Sequence, residues 1–309
     1  AAAKDQPVRF DSAAYIREGS STTQLKPGSQ KESELWRKLQ QSPFEQGIAK
    51  QGLSYAEAES LLQIEAYFQL VGMPQPSLQE SAIDALARQD ILLRQDDGQL
   101  SITNLGAILI ARRLSDFPSL RKRRLRVVRF LGNGKTDIIE DVHFEKGYAL
   151  TLPEALKYIS ESTYHEDVQE GAFRRIRSVF PERAMRELLS NTLIHQDLND
   201  NTRSPEIHLF TDRIEFVNPG TMLVPSERVV NAQPKTRNAM LVNILRQMDL
   251  CEEEGTGWDR IIEACEARHI MAPTIKSEEI SGTQVILYAG NPYQKMKKKE
   301  RMMAAYWHA

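Results

Sequence analysis

The sequence predicts an α/β protein, a small helix-rich unit followed by a larger sheet-and-helix unit. Three stretches predict it. Between residues 53 and 102, two runs of helically spaced apolar residues precede two short β-prone runs around Asp97-Gly98. Between residues 206 and 217, apolar and polar residues alternate as in half-buried strands. Pro181 to Asp197, PERAMRELLSNTLIHQD, reads as a helix, with Ala184, Met185, Leu188, Leu189 and Leu193 on one stripe. Glu187, Asn191 and His195 follow at i, i+4 and i+8 along the border of that stripe. A carboxylate, an amide and an imidazole in line at a core edge point to the lip of a pocket.

Composition bounds the answer. The chain has 309 residues, 41% hydrophobic and 27% charged, which excludes wholesale disorder. A net charge of −2 gives no global attraction to nucleic acid, so local patches carry any such argument. No apolar run approaches the ~20 residues that span a bilayer, and no signal pattern opens the chain. Cys251 and Cys265 are too far apart for a CxxC motif. They read as reduced, partly buried thiols of a cytoplasmic protein, with a disulfide as the alternative.

The first segment contains one short strand, Ala13 to Arg17, with Gly19 to Thr22 as the turn after it. A lone strand is unstable, so this end is expected to belong to a truncated module. At the other end, Lys295, Lys297, Lys298, Lys299 and Arg301 beside Met296, Met303 and Trp307 read as a basic amphipathic helix, also cut short.

Residues 29–115 follow a winged-helix order. Leu53 to Val71 is one predicted helix, with Ser54 and Glu57 as a capping box. Leu78 to Gln89 is a second, with Ser77 and Glu80 as another box. Ile91-Leu92-Leu93 and Leu100-Ser101-Ile102 then form a hairpin. The second helix carries Glu80 and Asp84 against one arginine, Arg88, and acidic groups repel phosphate. A structural or protein-contact role is favoured over DNA reading.

Arg121 to Arg124, with Arg126 and Arg129, form the densest basic cluster. It is read as a charged strand edge, with phosphate binding as the alternative. The following Gly132-Asn133-Gly134-Lys135-Thr136 imitates a phosphate loop, but Arg129 stands where the motif needs glycine and a strand follows. Asn133-Gly134 is read instead as a hairpin turn with positive φ.

In residues 116–290, helix Leu152 to Glu161 precedes a polar stretch and then the helix 181–197. Strands Glu206 to Phe210 and Arg213 to Val217 run into the turn Asn218-Pro219-Gly220. Thr221 to Thr236 lacks periodicity and reads as a loop that closes over a ligand. Helix Ala239 to Asp249 follows, then Gly255-Thr256-Gly257 and helix Trp258 to His269, then strand Gly282 to Tyr288. Glycines at a helix start leave backbone N–H groups free for an anion.

Glu187-x-x-x-Asn191, the strand ending Asn218-Pro219-Gly220, the loop and Gly255-Thr256-Gly257 together resemble the GHKL (Bergerat) ATP-binding fold. More closely, RELLSNTLIHQD, DRIEFVNPG, KTRN and CEEEGTGWDRI resemble proteins labelled ATP-binding transcriptional regulators or "RecG-like helicase-related". Those carry an N-terminal AlbA-type (Schlafen-like) nucleic-acid-binding domain, and YIREGSST is similar to its last strand. The resemblance implies four parts: an AlbA-type remnant (1–28), a winged helix (29–115), a GHKL-like ATP-binding α/β sandwich (116–290) and the start of a C-terminal winged helix (291–309).

It also implies roles. Asn191 would ligate Mg²⁺ through its side-chain oxygen, and Glu187 would orient or deprotonate the attacking water. Asn218 stands where the superfamily has an aspartate that accepts from the adenine amino group; an amide oxygen accepts the same bond without the charge. Gly220 would permit close backbone approach. Gly255, Thr256 and Gly257 would place backbone N–H groups at the phosphates. Lys235, Arg237 and Asn238 would reach the phosphates from the loop, with His195 and Asp197 in support. The implied protein is an ATP- and Mg²⁺-binding regulator, with slow ATP hydrolysis left open, coupled to nucleic acid, DNA in preference to RNA. The alternatives are a non-catalytic nucleic-acid-binding regulator whose GHKL-like domain serves a homodimer, and a degenerate ATPase scaffold in which Glu187 pairs with Arg183. A helicase is excluded by the lack of a phosphate loop and second motor domain.

Overall fold

The computed structural model describes residues 9–10, 13–18, 21–26, 29, 43–163, 165–170, 173–226, 229, 235–252, 255, 257–268, 270–278, 281–289, 298 and 301–302. Most of the predicted C-terminal basic helix therefore lies outside the described residues, as does Thr256. Among the described residues, no helix is long and apolar enough to cross a membrane.

The chain opens with a three-stranded antiparallel sheet, β1 (Arg9–Phe10), β2 (Ala13–Glu18) and β3 (Ser21–Gln24). The strand predicted alone at 13–17 thus has two partners, and Ser21 and Thr22 extend rather than turn.

A short 3₁₀ turn, Phe44–Gln46, leads into β4 (Ile48–Leu53), α1 (Tyr55–Leu61), α2 (Ile64–Leu70), α3 (Gln79–Arg88), β5 (Leu92–Arg94), β6 (Leu100–Thr103) and α4 (Asn104–Ile110). The three strands pair in the order β4-β6-β5. The single helix predicted over 53–71 is two helices. Leu62 is extended (φ −111°, ψ 154°) and bridges to Ala111. Tertiary hydrogen bonds, Gln63 N to Ile110 O and Arg112 N to Leu61 O, both 2.8 Å, replace helical ones at the break. The Ser54–Glu57 capping box forms. The Ser77–Glu80 box does not. Leu78 is the cap residue of α3 and has no side-chain acceptor to cap with, and the Glu80 carboxylate lies 2.8 Å from Arg94.

Next come β7 (Leu125–Phe130), β8 (Ile138–Phe144), α5 (Tyr148–Ser162), the hairpin β9 (His165–Glu170) and β10 (Phe173–Ser178), and α6 (Glu182–Ile194). They are followed by β11 (Glu206–Leu209), β12 (Arg213–Asn218), α7 (Ala239–Gln247), α8 (Gly257–Glu266), β13 (Thr274–Glu278) and β14 (Gly282–Tyr288). Six of these strands form one mixed sheet, β13-β14-β12-β11-β7-β8, parallel at β11–β7 and antiparallel elsewhere. α5 begins a turn earlier than predicted, after Gly147, which lies so close to α4 that a β-carbon would meet Ile110 N at 2.5 Å.

Period-two alternation divides the sheet faces. Leu125, Val127, Ile207, Leu209, Ile214, Phe216 and Leu287 are buried and join the helices in one apolar cluster. That cluster also contains Leu53, Leu62, Phe68, Leu86 and Ile110, so the helix–hairpin unit and the six-stranded sheet share a continuous core. The opposite face carries a small buried cluster, Val128, Phe130 and Phe210, beside charged groups paired with one another. Arg126 reaches Asp141 at 2.7 Å and Glu206 at 3.1 Å, while Lys135 and Arg213 each meet buried Glu215 at 2.8 Å.

The imitation phosphate loop is the connection between β7 and β8, and no helix follows it. Its positive φ falls on Gly132 (81°) rather than on Asn133-Gly134. The basic cluster is largely used internally. Arg123 is buried and donates to Asp200 O, Arg124 pairs with Glu145, and Arg129 stands 3.3 Å from Glu140.

Candidate functional site

α6 is held on three sides: it packs against α5 and α8 and lies on β12. Its predicted apolar stripe, Ala184, Met185, Leu188, Leu189 and Leu193, is buried. The polar stripe beside it does not face water. Glu187 is only 5% exposed, and Asn191 and His195 are half-buried. All three line one cavity, together with Asn218, Lys235, Arg237, Gly255 and Gly257.

The Glu187 carboxylate makes no hydrogen bond or ion pair among the described residues. Burial pushes its pKa up, while the charges of Arg260, Arg186 and Arg183 pull the other way. The local pairing with Arg183 does not occur; Arg183 turns to Glu263, 3.7 Å away. The Asn191 side chain is likewise without a hydrogen-bond partner among the described residues. A carboxylate so little exposed, with no partner among the described residues, is costly in an ordinary core. Two neighbouring groups without partners among the described residues, on one cavity wall, are what a ligand-binding surface presents.

The opposite wall is the start of α8. Gly255 has φ 95°, a conformation that favours glycine. Gly257 is the first residue of α8, and a β-carbon there would stand 3.2 Å from Glu187 Oε2 and 4.0 Å from Asn191 Nδ2. The backbone thus approaches the polar stripe as closely as a side chain-free residue allows.

A third wall comes from the end of β12. Asn218 is buried, and its Nδ2 donates to Pro219 O at 3.3 Å. In register across the sheet stands Thr283, whose Oγ1 donates to Gly220 O at 2.8 Å. Gly220 has φ 93°, and a β-carbon would lie 2.8 Å from Asp197 Cβ. It does not line the cavity; its close approach is to the chain leaving α6.

Lys235 and Arg237 form the cationic rim. Lys235 is exposed. Arg237 donates through Nη2 to Thr221 O at 2.6 Å and through Nη1 to His195 O at 3.4 Å. Desolvation works against its charge, which Asp197 supports. Asn238 is placed elsewhere. Its Nδ2 donates to Ile194 O at 2.8 Å and Gln196 O at 2.9 Å, which ties the rim segment to the end of α6. Sequence reasoning missed Thr283 and Trp258, which line the cavity, and Arg260, whose charge acts on Glu187. Thr283 could have been found only through its strand register, and Arg260 only through the packing of α8 against α6.

Residues 202–287 match the family model described as "Putative ATP-dependent DNA helicase recG C-terminal". The match covers the Asn218 and Gly257 walls and stops short of Glu187 and Asn191. The similarity to that ATPase-related family is confined to this region. The fold as a whole resembles the DIP2311 protein from Corynebacterium diphtheriae, with a TM-score of 0.58 at 20% identity over 92% of this chain. The chain spans about half of that protein, 54% of its length. No curated protein shows significant similarity to the chain.

Proposed function

We propose that the cavity binds ATP with Mg²⁺ and that the chain is the nucleotide-sensing part of a nucleic-acid-associated regulator. The observation that carries this reading is the pair Glu187 and Asn191, without partners among the described residues, facing the glycine-opened start of α8, which lies in the region that matches the ATPase-related family model. A metal fits the donor set in one way. No cluster of three metal-ligating side chains exists among the described residues, so Mg²⁺ would rely on phosphate oxygens plus the Asn191 oxygen, as hard cations with several retained waters do. The ion would supply charge neutralisation for the phosphates.

The other residues act directly. The backbone N–H groups at Gly255 to Gly257 would receive phosphate oxygens. Lys235 and Arg237 would add positive charge at the rim. Asn218 would accept from the adenine amino group through its amide oxygen. Glu187, whose burial raises its proton affinity, is suited to take a proton from water. The helix–hairpin unit, read as a winged helix, and the AlbA-like N-terminal strands would carry the signal to DNA. The shared core across both units provides the mechanical connection.

Thermal unfolding with and without ATP and Mg²⁺ tests the proposal. Ligand at a hundred times its Kd adds about 2.7 kcal/mol of stability. The parent should shift upward, and Asn191→Ala should lose the Mg²⁺-dependent part. An unshifted parent would rule out nucleotide binding.

A further inference from the structure

The carboxylate of Glu45 lies far from the cavity in sequence and next to its cationic rim in space. Glu45 is 2% exposed, and no side-chain cation pairs with it among the described residues. Its Oε1 accepts from Leu241 N at 2.6 Å; burial pushes its pKa up, and the Leu241 and Met240 N–H groups pull it part of the way back. Met240 and Leu241 lie in the first turn of α7, where N–H groups lack intrahelical acceptors and the helix dipole favours an anion. Asn238, the cap residue of α7, makes no side-chain cap bond of its own, since its amide is committed to the end of α6. The cap of α7 is supplied by another unit of the protein.

That unit holds Glu45 firmly. Asn104 Nδ2 donates to Phe44 O at 2.9 Å, and Asn104 N donates to Gly47 O at 2.6 Å. A β-carbon on Gly47 would stand 2.6 Å from Asn104 Nδ2, so the loop lies flat on the start of α4. Gln46 Nε2 also reaches Met240 Sδ at 3.9 Å. The five residues from Arg237 to Leu241 are therefore gripped twice: by the carbonyls at the end of α6, and by Glu45 from the helix–hairpin unit.

We infer that Glu45 is a positioning residue for the nucleotide cavity: by capping α7 from the helix–hairpin unit, it fixes where Arg237 meets the cavity rim. The inference rests on the nucleotide reading for its functional consequence, but the mechanical contact can be measured without nucleotide. Glutamine still offers an oxygen to the Leu241 N–H, whereas alanine leaves that donor orphaned.

The experiment uses the whole chain as parent, Glu45→Ala, Glu45→Gln, Arg237→Ala and the double variant Glu45→Ala/Arg237→Ala. Amide hydrogen exchange without ligand should quicken at least tenfold at residues 237–242 in Glu45→Ala. It should stay near parental in Glu45→Gln and in α3 of every variant. Titration with ATP and Mg²⁺ should show about tenfold weaker binding for Glu45→Ala, with rescue in Glu45→Gln. It should show little further loss when Glu45→Ala is added to Arg237→Ala, since one acts through the other. Unchanged exchange at 237–242 in Glu45→Ala overturns the inference, as does full additivity of the two substitutions. If Glu45→Ala does not fold, the Glu45→Gln exchange profile decides, and a profile as fast as that of an unstructured segment overturns the inference. A parent that binds no ATP defeats the nucleotide reading alone, leaving the exchange result to judge the contact.

Discussion

Gly257 stands so close to Glu187 that a β-carbon on the glycine would lie 3.2 Å from the carboxylate oxygen Oε2. One residue opens a helix and the other sits in the middle of a different helix, so neither neighbour is visible to the other in the sequence. The contact makes a specific demand on position 257. Alanine favours helix over glycine by up to about 1 kcal/mol, so Gly257→Ala should leave the unliganded melting temperature unchanged or slightly higher. The added methyl should push the Glu187 carboxylate aside and weaken ATP·Mg²⁺ binding by about tenfold, roughly 1.4 kcal/mol. Calorimetric titration alongside thermal melts checks both halves, and a drop in stability without loss of binding would contradict the geometry.

Burial raises the pKa of Glu187 above its ordinary 4.5. The folded state then holds the proton more tightly than the unfolded state does. Stability from this group is fully present below 4.5 and is lost as pH rises through the elevated value. Glu187→Gln removes the titration. The variant should melt higher than the parent at pH 7, and the difference should vanish towards pH 4. Melting curves across that range measure it, and a variant less stable than the parent at neutral pH would show that the carboxylate has a stabilising partner.

If Glu187 activates water, its removal separates binding from turnover. General-base catalysis contributes about 10²- to 10⁴-fold. Glu187→Ala should retain ATP binding while any hydrolysis falls at least about a hundredfold, measured by phosphate release in the presence of Mg²⁺. Equal turnover in parent and variant would remove Glu187 from the chemistry.

The hydroxyl of Tyr148 links the start of β7 to the end of α6. It donates to Arg123 O at 2.7 Å and accepts from Gln196 Nε2 at 2.7 Å, all within the buried interior. Tyr148→Phe keeps the ring and leaves both partners short of a bond. Such a loss costs about 1–3 kcal/mol. Urea unfolding should show a lower midpoint at constant m-value, and no change would mean that water takes the vacated place.

Two serines that look alike in sequence should behave differently. Ser54 accepts from Glu57 N in a formed capping box, so Ser54→Ala should cost about 1 kcal/mol. Ser77 has no such bond, because α3 is capped at Leu78 without a side chain. Ser77→Ala should lie within about 0.5 kcal/mol of the parent. Denaturant titration of the two variants side by side provides the comparison.

The amino-acid sequence by itself determined what depends on near neighbours along the chain. The 3.6-residue period placed the buried stripe of α6, and alternation placed β11 and β12. Asn218-Pro219-Gly220 marked the end of a strand because proline and glycine dictate local backbone geometry. The polar stripe of Glu187 and Asn191 was legible because residues four apart share a helix face. Tertiary structure decided the rest. The predicted helix over 53–71 broke at Leu62 because Ile110 and Leu61 exchange hydrogen bonds with more distant residues. α4 was invisible because all seven of its residues are buried and no polar face gives it a period. Gly220 proved to serve a close approach to Asp197, and Asn238 to tie the end of α6, since each meets a partner that only folding brings near. Glu45 is the extreme case: its acceptor role exists only because a loop nearly two hundred positions away in the chain presents a helix start with unsatisfied N–H groups.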